Sequence, residues 1–232
     1  MTNQNIKLIS VMKFDIFYHI YLFNNWFDIV KEQVDYLKES SLFQNSEIKI
    51  GVLYNQYNEN EINKLKNIFY NDENVTFLFI KNNNGAAESN TLECLKTYSD
   101  LLIENRNILY IHTKGVTHYE SIREIPVREW RKMMEYFLIE KWENCVGKLN
   151  EGYDCCGVNY QNHAATIDGG RKLIKIFNGN FFWVNSDYIK KLNVDLLFEH
   201  SHSSENWLTS ENHNPFSFYN TPHSVDLYHQ IN

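Results

Sequence analysis

The sequence predicts an α/β protein built on a Rossmann-like, mostly parallel central sheet flanked by helices. Three observations lead there. Apolar runs rich in β-branched and aromatic residues alternate with segments of helical periodicity from Phe14 to His112, in the order β-α-β-α-β-α-β. Such alternation requires parallel strands joined by right-handed helical crossovers. The run Ile108-Leu109-Tyr110-Ile111 reads as a strand buried on both faces, and it stops abruptly at His112-Thr113-Lys114-Gly115. Toward the C-terminus, from Asn193 to Asn232, the pattern changes to loop-rich, histidine-rich sequence, with no repeat and no low-complexity linker anywhere in the chain. The shift marks two halves of one domain spanning 1–232, residues 10–115 and 116–232.

Each element has its own signal. Phe14 to Leu22 has strand composition. Asn24-Asn25 offers a helix cap, after which Trp26, Ile29, Val30, Val34 and Leu37 recur at helical spacing as far as Ser40. Glu47 to Tyr54 is a second strand, Asn60 to Tyr70 a second amphipathic helix, and Val75 to Ile80 a third strand. A polar turn, Lys81 to Gly85, leads to a helix over Ala86 to Ile103. After the fourth strand, Pro126 opens one long helix from Val127 to Leu149. Tyr153 to Val158 reads as a fifth strand and the stretch through Gly169-Gly170 as a polar loop; Phe181 to Val184 is a further strand. Asn185-Ser186-Asp187 caps a short helix, and another is expected around Ser204 to Thr209.

Composition narrows the function classes. A net charge of −7 argues against sequence-independent nucleic-acid binding, which needs a dense basic surface. No stretch approaches the roughly 20 apolar residues of a membrane span, and Met1 to Ile9 lacks the pattern of a secretory signal. The expectation is a cytoplasmic protein. Cys94, Cys145, Cys155 and Cys156 match neither a disulfide framework nor a zinc site, so they read as buried thiols. Neither G-x-G-x-x-G nor G-x-x-x-x-G-K-[ST] occurs, which moves dehydrogenases and P-loop enzymes down the list.

In open α/β sheets, ligands bind just beyond the carboxyl ends of the strands. The His112-Thr113-Lys114 turn occupies such an end, and in this context it resembles the H-[ST]-K segment of rhamnan-synthesis-type glycosyltransferases, nucleotide-sugar enzymes of GT-A architecture. Three other stretches agree in order and spacing: Tyr18-His19 late in the first strand, Trp130-Arg131 early in the long helix, and Gly179-Asn180-Phe181 before an aromatic strand. The resemblance covers about Phe14 to Leu208. It implies a nucleotide-binding half and an acceptor half, and a UDP-, GDP- or dTDP-sugar as donor. The acceptor would be a glycan or glycoconjugate, receiving a hexose or deoxyhexose by an inverting displacement.

The same resemblance places a metal-binding Asp-x-Asp at the end of the fourth strand, where this chain has His112-Thr113-Lys114 and no acid. A manganese or magnesium requirement is therefore left open. Positive charge can replace the metal: Lys114 as a point charge, Arg131 as a bidentate donor, and His112 as a donor to phosphate or sugar. The competing readings are a solvated loop cation, a helix-surface ion pair and a hydrogen-bonded strand end. His19 and Asn83 are expected on the nucleoside rim, and Gly179 and Asn180 against the donor; a core histidine, a chance asparagine run and a simple turn are the alternatives.

An inverting transferase needs a carboxylate to take the acceptor proton. Glu205, starting a short helix, fits that role or merely complements the helix dipole. Asp154 and Asp168 are weaker candidates, and Trp183 reads as a core residue before a sugar platform. His200-x-His202, with His213, His223 and His229, permits a zinc or manganese site. Two rivals follow: a non-catalytic sugar-nucleotide or glycan-binding module, and a His-dependent metallohydrolase.

Overall fold

The computed structural model describes residues 14–85, 87–167, 170–199, 203–222 and 227–228. Its first half is β1 (Phe14–Leu22), α1 (Trp26–Glu39), β2 (Ser46–Tyr54), α2 (Glu59–Ile68), β3 (Val75–Asn82), α3 (Ser89–Leu101) and β4 (Asn107–His112). The second half holds α4 (Glu124–Glu135), α5 (Trp142–Asn150), β5 (Cys155–Gly157), β6 (Tyr160–Ile167), β7 (Gly170–Phe177) and β8 (Phe182–Asn185). It continues with α6 (Ser186–Ile189), α7 (Ser203–Trp207) and β9 (Pro215–Ser217). The sheet has seven strands in the order β3-β2-β1-β4-β8-β5-β9, and only β8 runs against its neighbours. This is the mostly parallel, helix-flanked α/β sheet that the alternation predicts.

Side-chain alternation sorts the core into two layers. Ile16, Tyr18 and Ile20 of β1 face α1, α2, α4 and α5, while Phe17 faces α3, α6 and α7. The chain winds outward from β1 through β2 to β3, then returns past β1 to form β4. Right-handed crossovers therefore put α1 and α2 on one face and α3 on the other. The reversal leaves a crevice at the carboxyl ends of β1 and β4. The α1 stripe of Trp26, Ile29, Val30, Val34 and Leu37 is buried as its period requires, each side chain contributing roughly 1.5–3 kcal/mol. At the opposite end of β1, buried Asp15 is neutralised by Lys49 at 2.6 Å and Arg106 at 3.0 Å.

Several boundaries differ from expectation, for local reasons. Asn25 makes no capping hydrogen bond with its side chain; Asn24 instead takes a left-handed conformation and donates to the Val116 carbonyl at 2.7 Å. Asn58 caps α2, accepting from the amides of Asn60 and Glu61. β3 runs on to Asn82, and α3 starts only at Ser89, because left-handed Gly85 and Ala87 keep the intervening turn open. The long helix is broken. A π-helical turn, Tyr136–Glu140, separates α4 from α5, and its displaced carbonyls find partners in Trp183 Nε1, at 2.8 Å from Leu138 O, and Cys145 Sγ, at 3.4 Å from Phe137 O.

The expected polar loop through Gly169-Gly170 is instead the β6–β7 hairpin, pairing Tyr160 with Phe177 through to Ile167 with Gly170. β9 also lies in a stretch read as loop; three residues are too few for periodicity to register. No helix among the described residues is long and apolar enough to cross a membrane.

Gly51 on β2 sits beside His19 in the ladder and admits α3 closely: an added Cβ would lie 2.2 Å from Thr91 Oγ1 and 2.6 Å from Phe79. Gly51→Ala should cost about 1–3 kcal/mol. Thermal denaturation should then show a melting temperature lower by several degrees.

Candidate functional site

Site geometry follows from how β4 ends. His112 pairs with His19 across β1 and β4, so the two imidazoles stand side by side at the crevice. Thr113 then fastens the turn to β1: its amide donates to the His19 carbonyl at 3.1 Å, and its hydroxyl accepts from the Tyr21 amide at 3.0 Å. Gly115 completes the turn at φ +104°, a conformation that disfavours other residues. Lys114 lays its ammonium over the Trp130 ring of α4, 4.0 Å from the centroid.

Opposite the turn lies a carboxylate that no strand-end motif announced. Glu88, immediately before α3, accepts from the Tyr110 hydroxyl at 3.0 Å and from Asn180 Nδ2 at 2.7 Å, both on Oε2. Its other oxygen lies 3.7 Å from His112 Nδ1. Gly179 and Asn180 arrive from the loop between β7 and β8, both in left-handed conformations. The Gly179 carbonyl accepts from His112 Nε2 at 2.9 Å. A carbonyl can only accept, so neutral His112 carries its proton on Nε2 and turns the Nδ1 lone pair toward Glu88. A Cβ on Gly179 would sit 2.6 Å from Met134 Sδ, so this residue also owes its identity to close packing.

Burial lowers His19 to about 4, and Thr91 Oγ1 lies 2.8 Å from its Nδ1. Burial together with the Lys114 ammonium lowers His112 to about 3. Both rings are neutral at pH 7. Burial also lowers Lys114, opposed by the negative charges of Glu205 and Glu88. The ammonium therefore sits in the field of two carboxylates, one immediately before α3 and one from α7.

His19, His112, Lys114, Gly179 and Asn180 thus gather in one crevice, and Glu205 acts on it through its charge. Asn83 does not join them. It is half-buried just beyond edge strand β3, with its amide donating to the Tyr54 carbonyl at 2.7 Å and Nδ2 3.4 Å from Asn55 Oδ1. Asn55 lines a separate cavity of about 340 Å³ at the ends of β1 and β2, with Phe23, Trp26, Tyr54 and Asn58. The Arg131 guanidinium is buried behind the turn. It donates to the Lys114 carbonyl at 3.1 Å, meets Glu32 at 2.5 Å and lies 3.2 Å from Glu135. Burial, outweighing Arg131, raises Glu135 to about 7.

Tyr18 points to the opposite face and bonds Gln33. Trp183 is core, and Asp154 is occupied by the Asn214 amide at 2.8 Å. Asp168, His200, His202, His223 and His229 lie outside the described residues, while His213 bonds Tyr160 at 2.6 Å. All four cysteines are free. Among the described residues no group of three His, Cys, Asp or Glu side chains is arranged to hold a metal ion. The Lys114 ammonium repels a divalent cation at this strand end, where the resemblance places an acidic pair, so these residues do not fit the metal it implies.

Residues 17–227 match the sequence pattern of the family described as "Domain of unknown function (DUF8361)". The chain belongs to that family. No curated protein matches it. Among solved structures it is similar to the galactosyltransferase LgtC in complex with donor and acceptor sugar analogs. Identity is 11%, the match covers 86% of this chain and 67% of that one, and the TM-score is 0.39.

The histidines make a signed pH prediction. Their folded pKa values lie below the unfolded value near 6.5, so the unfolded chain binds more protons as pH falls through that range. Stability should drop from about pH 6.5 toward pH 4. His19→Gln should make denaturant-derived stability less steep there, by up to about 1.4 kcal/mol per pH unit.

Proposed function

We propose that this protein is a glycosyltransferase that moves a sugar from a nucleoside-diphosphate donor to a glycan or glycoconjugate acceptor. The observation that carries the reading is the Lys114 ammonium, stacked on Trp130 and lying in the field of Glu88 and Glu205. A leaving diphosphate needs positive charge in a partly dehydrated site, and the Lys114 ammonium supplies it without a metal. The strand-end location and the H-[ST]-K resemblance support the same reading.

In the proposed reaction the nucleoside lies toward the cavity at the ends of β1 and β2, with Asn83 at its rim through Asn55. Lys114 meets the diphosphate. His112, with its Nδ1 lone pair facing the crevice, accepts from a sugar hydroxyl in its neutral form and donates only once protonated; Asn180 and Glu88 hold further hydroxyls. The acceptor oxygen attacks the anomeric carbon while its proton passes to the Glu205 carboxylate. The bond from that carbon to the diphosphate oxygen breaks, and its electron pair leaves on the nucleoside diphosphate. The anomeric configuration inverts.

A thermal-shift screen of UDP-, GDP- and dTDP-sugars should show one class raising the melting temperature, since a ligand bound only by the native state stabilises it. Lys114→Ala should weaken binding of that donor about tenfold or more. Unchanged affinity and turnover would reduce the turn to a strand end. Glu205→Gln should keep donor affinity and slow transfer by about 10²-fold or more. A full transfer rate in that variant would remove the base from Glu205. Donor binding by the native protein without turnover on any acceptor would leave a binding module.

A further inference from the structure

The His112–Gly115 turn is also held from the face away from Glu88, by a buried polar network the proposed chemistry does not touch. Gln33 is fully buried within the apolar stripe of α1, a costly place for an amide unless its groups are bonded. Its Nε2 donates to the His112 carbonyl at 3.2 Å and to Glu135 Oε1 at 2.8 Å, and its Oε1 accepts from the Tyr18 hydroxyl. From α4, Arg131 donates to the Lys114 carbonyl at 3.1 Å while Glu32 and Glu135 neutralise it. Gly115 is required by its positive φ, and its Cα side lies against Arg131, where an added Cβ would meet Nη1 at an ordinary contact of 3.5 Å.

Stability alone is a poor account of this arrangement, because apolar residues of similar volume often replace buried ion pairs at no cost. What the network does specifically is bond the main-chain carbonyls of the two residues whose side chains face the crevice. We propose that Gln33 and Arg131 are positioning residues: they fix the directions in which the His112 imidazole and Lys114 ammonium leave the turn, and Arg131 makes no contact with the donor. The functional consequence rests on the glycosyltransferase reading; the geometric one does not.

Two measurements separate these levels. In ligand-free protein, NMR of the His112 ring reads the Nε2–H bonded to Gly179. Gln33→Met and Arg131→Lys should shift that resonance or lose it to exchange, whereas Leu65→Ala, in the α2 core, should leave it in place. An unmoved resonance in the folded variants overturns the inference, and Gln33→Met decides alone if Arg131→Lys does not fold. Titration with UDP, GDP and dTDP supplies the second measurement. Arg131→Lys should weaken the nucleotide that binds about fivefold in the native background, and less than about twofold once Lys114 is alanine. Equal losses in both backgrounds would mean that Arg131 touches the nucleotide, which also overturns the inference. If none of the three nucleotides binds the native protein, the donor reading fails while the imidazole resonance still decides the positioning role.

Discussion

Crossover handedness is the constraint on which the site depends. A chain that winds one way from β1 to β3 and then returns to β4 must switch helices from one face to the other. No helix can then cover the gap between the carboxyl ends of β1 and β4. Thr113 converts the gap into a defined site by continuing the β1 ladder with both its amide and its hydroxyl. With Thr113 tied to β1, the side chains of His112 and Lys114 project into the crevice while their carbonyls stay available to α1 and α4.

The electrostatics follow from that division. On the crevice side, low dielectric keeps both imidazoles neutral and leaves Lys114 as the cation in the field of Glu88 and Glu205. Behind the turn, the charge of Arg131 is spent on Glu32 and Glu135. Two cations close in sequence therefore have different work: one faces the site and the other sets the frame. Gly179 links the two sides, bonding His112 through its carbonyl while packing against Met134 and Trp130.

Much of the first half was legible because its signals are local. The periodicity of α1 and the continuous apolar run of β4 depend on residues within a few positions of one another. The break between α4 and α5 was not legible, since the π turn depends on the distant Trp183, and on Cys145 beyond the turn, donating to its carbonyls. The β6–β7 hairpin was read as a polar loop, because its pairing joins Tyr160 to Phe177 across a span that local composition does not register. At the end of β4, His112 and Lys114 were legible as an abrupt polar stop, whereas the partners of Arg131 were not, because sequence shows a charge without its counter-ions.

Residue order thus established the alternation, the parallel sheet and the abrupt polar stop at the end of β4, because periodicity and strand polarity are properties of neighbouring residues. Tertiary structure alone decided which carboxylate faces that end. Glu88 is 24 residues before His112 in the chain, yet it reaches the crevice because α3 crosses to the far face before β4 begins. It also decided the tautomer of His112 and the fate of Arg131, since both depend on partners from other elements. A strand end that lacks an acid in sequence acquires two from helices, and that is a matter of packing.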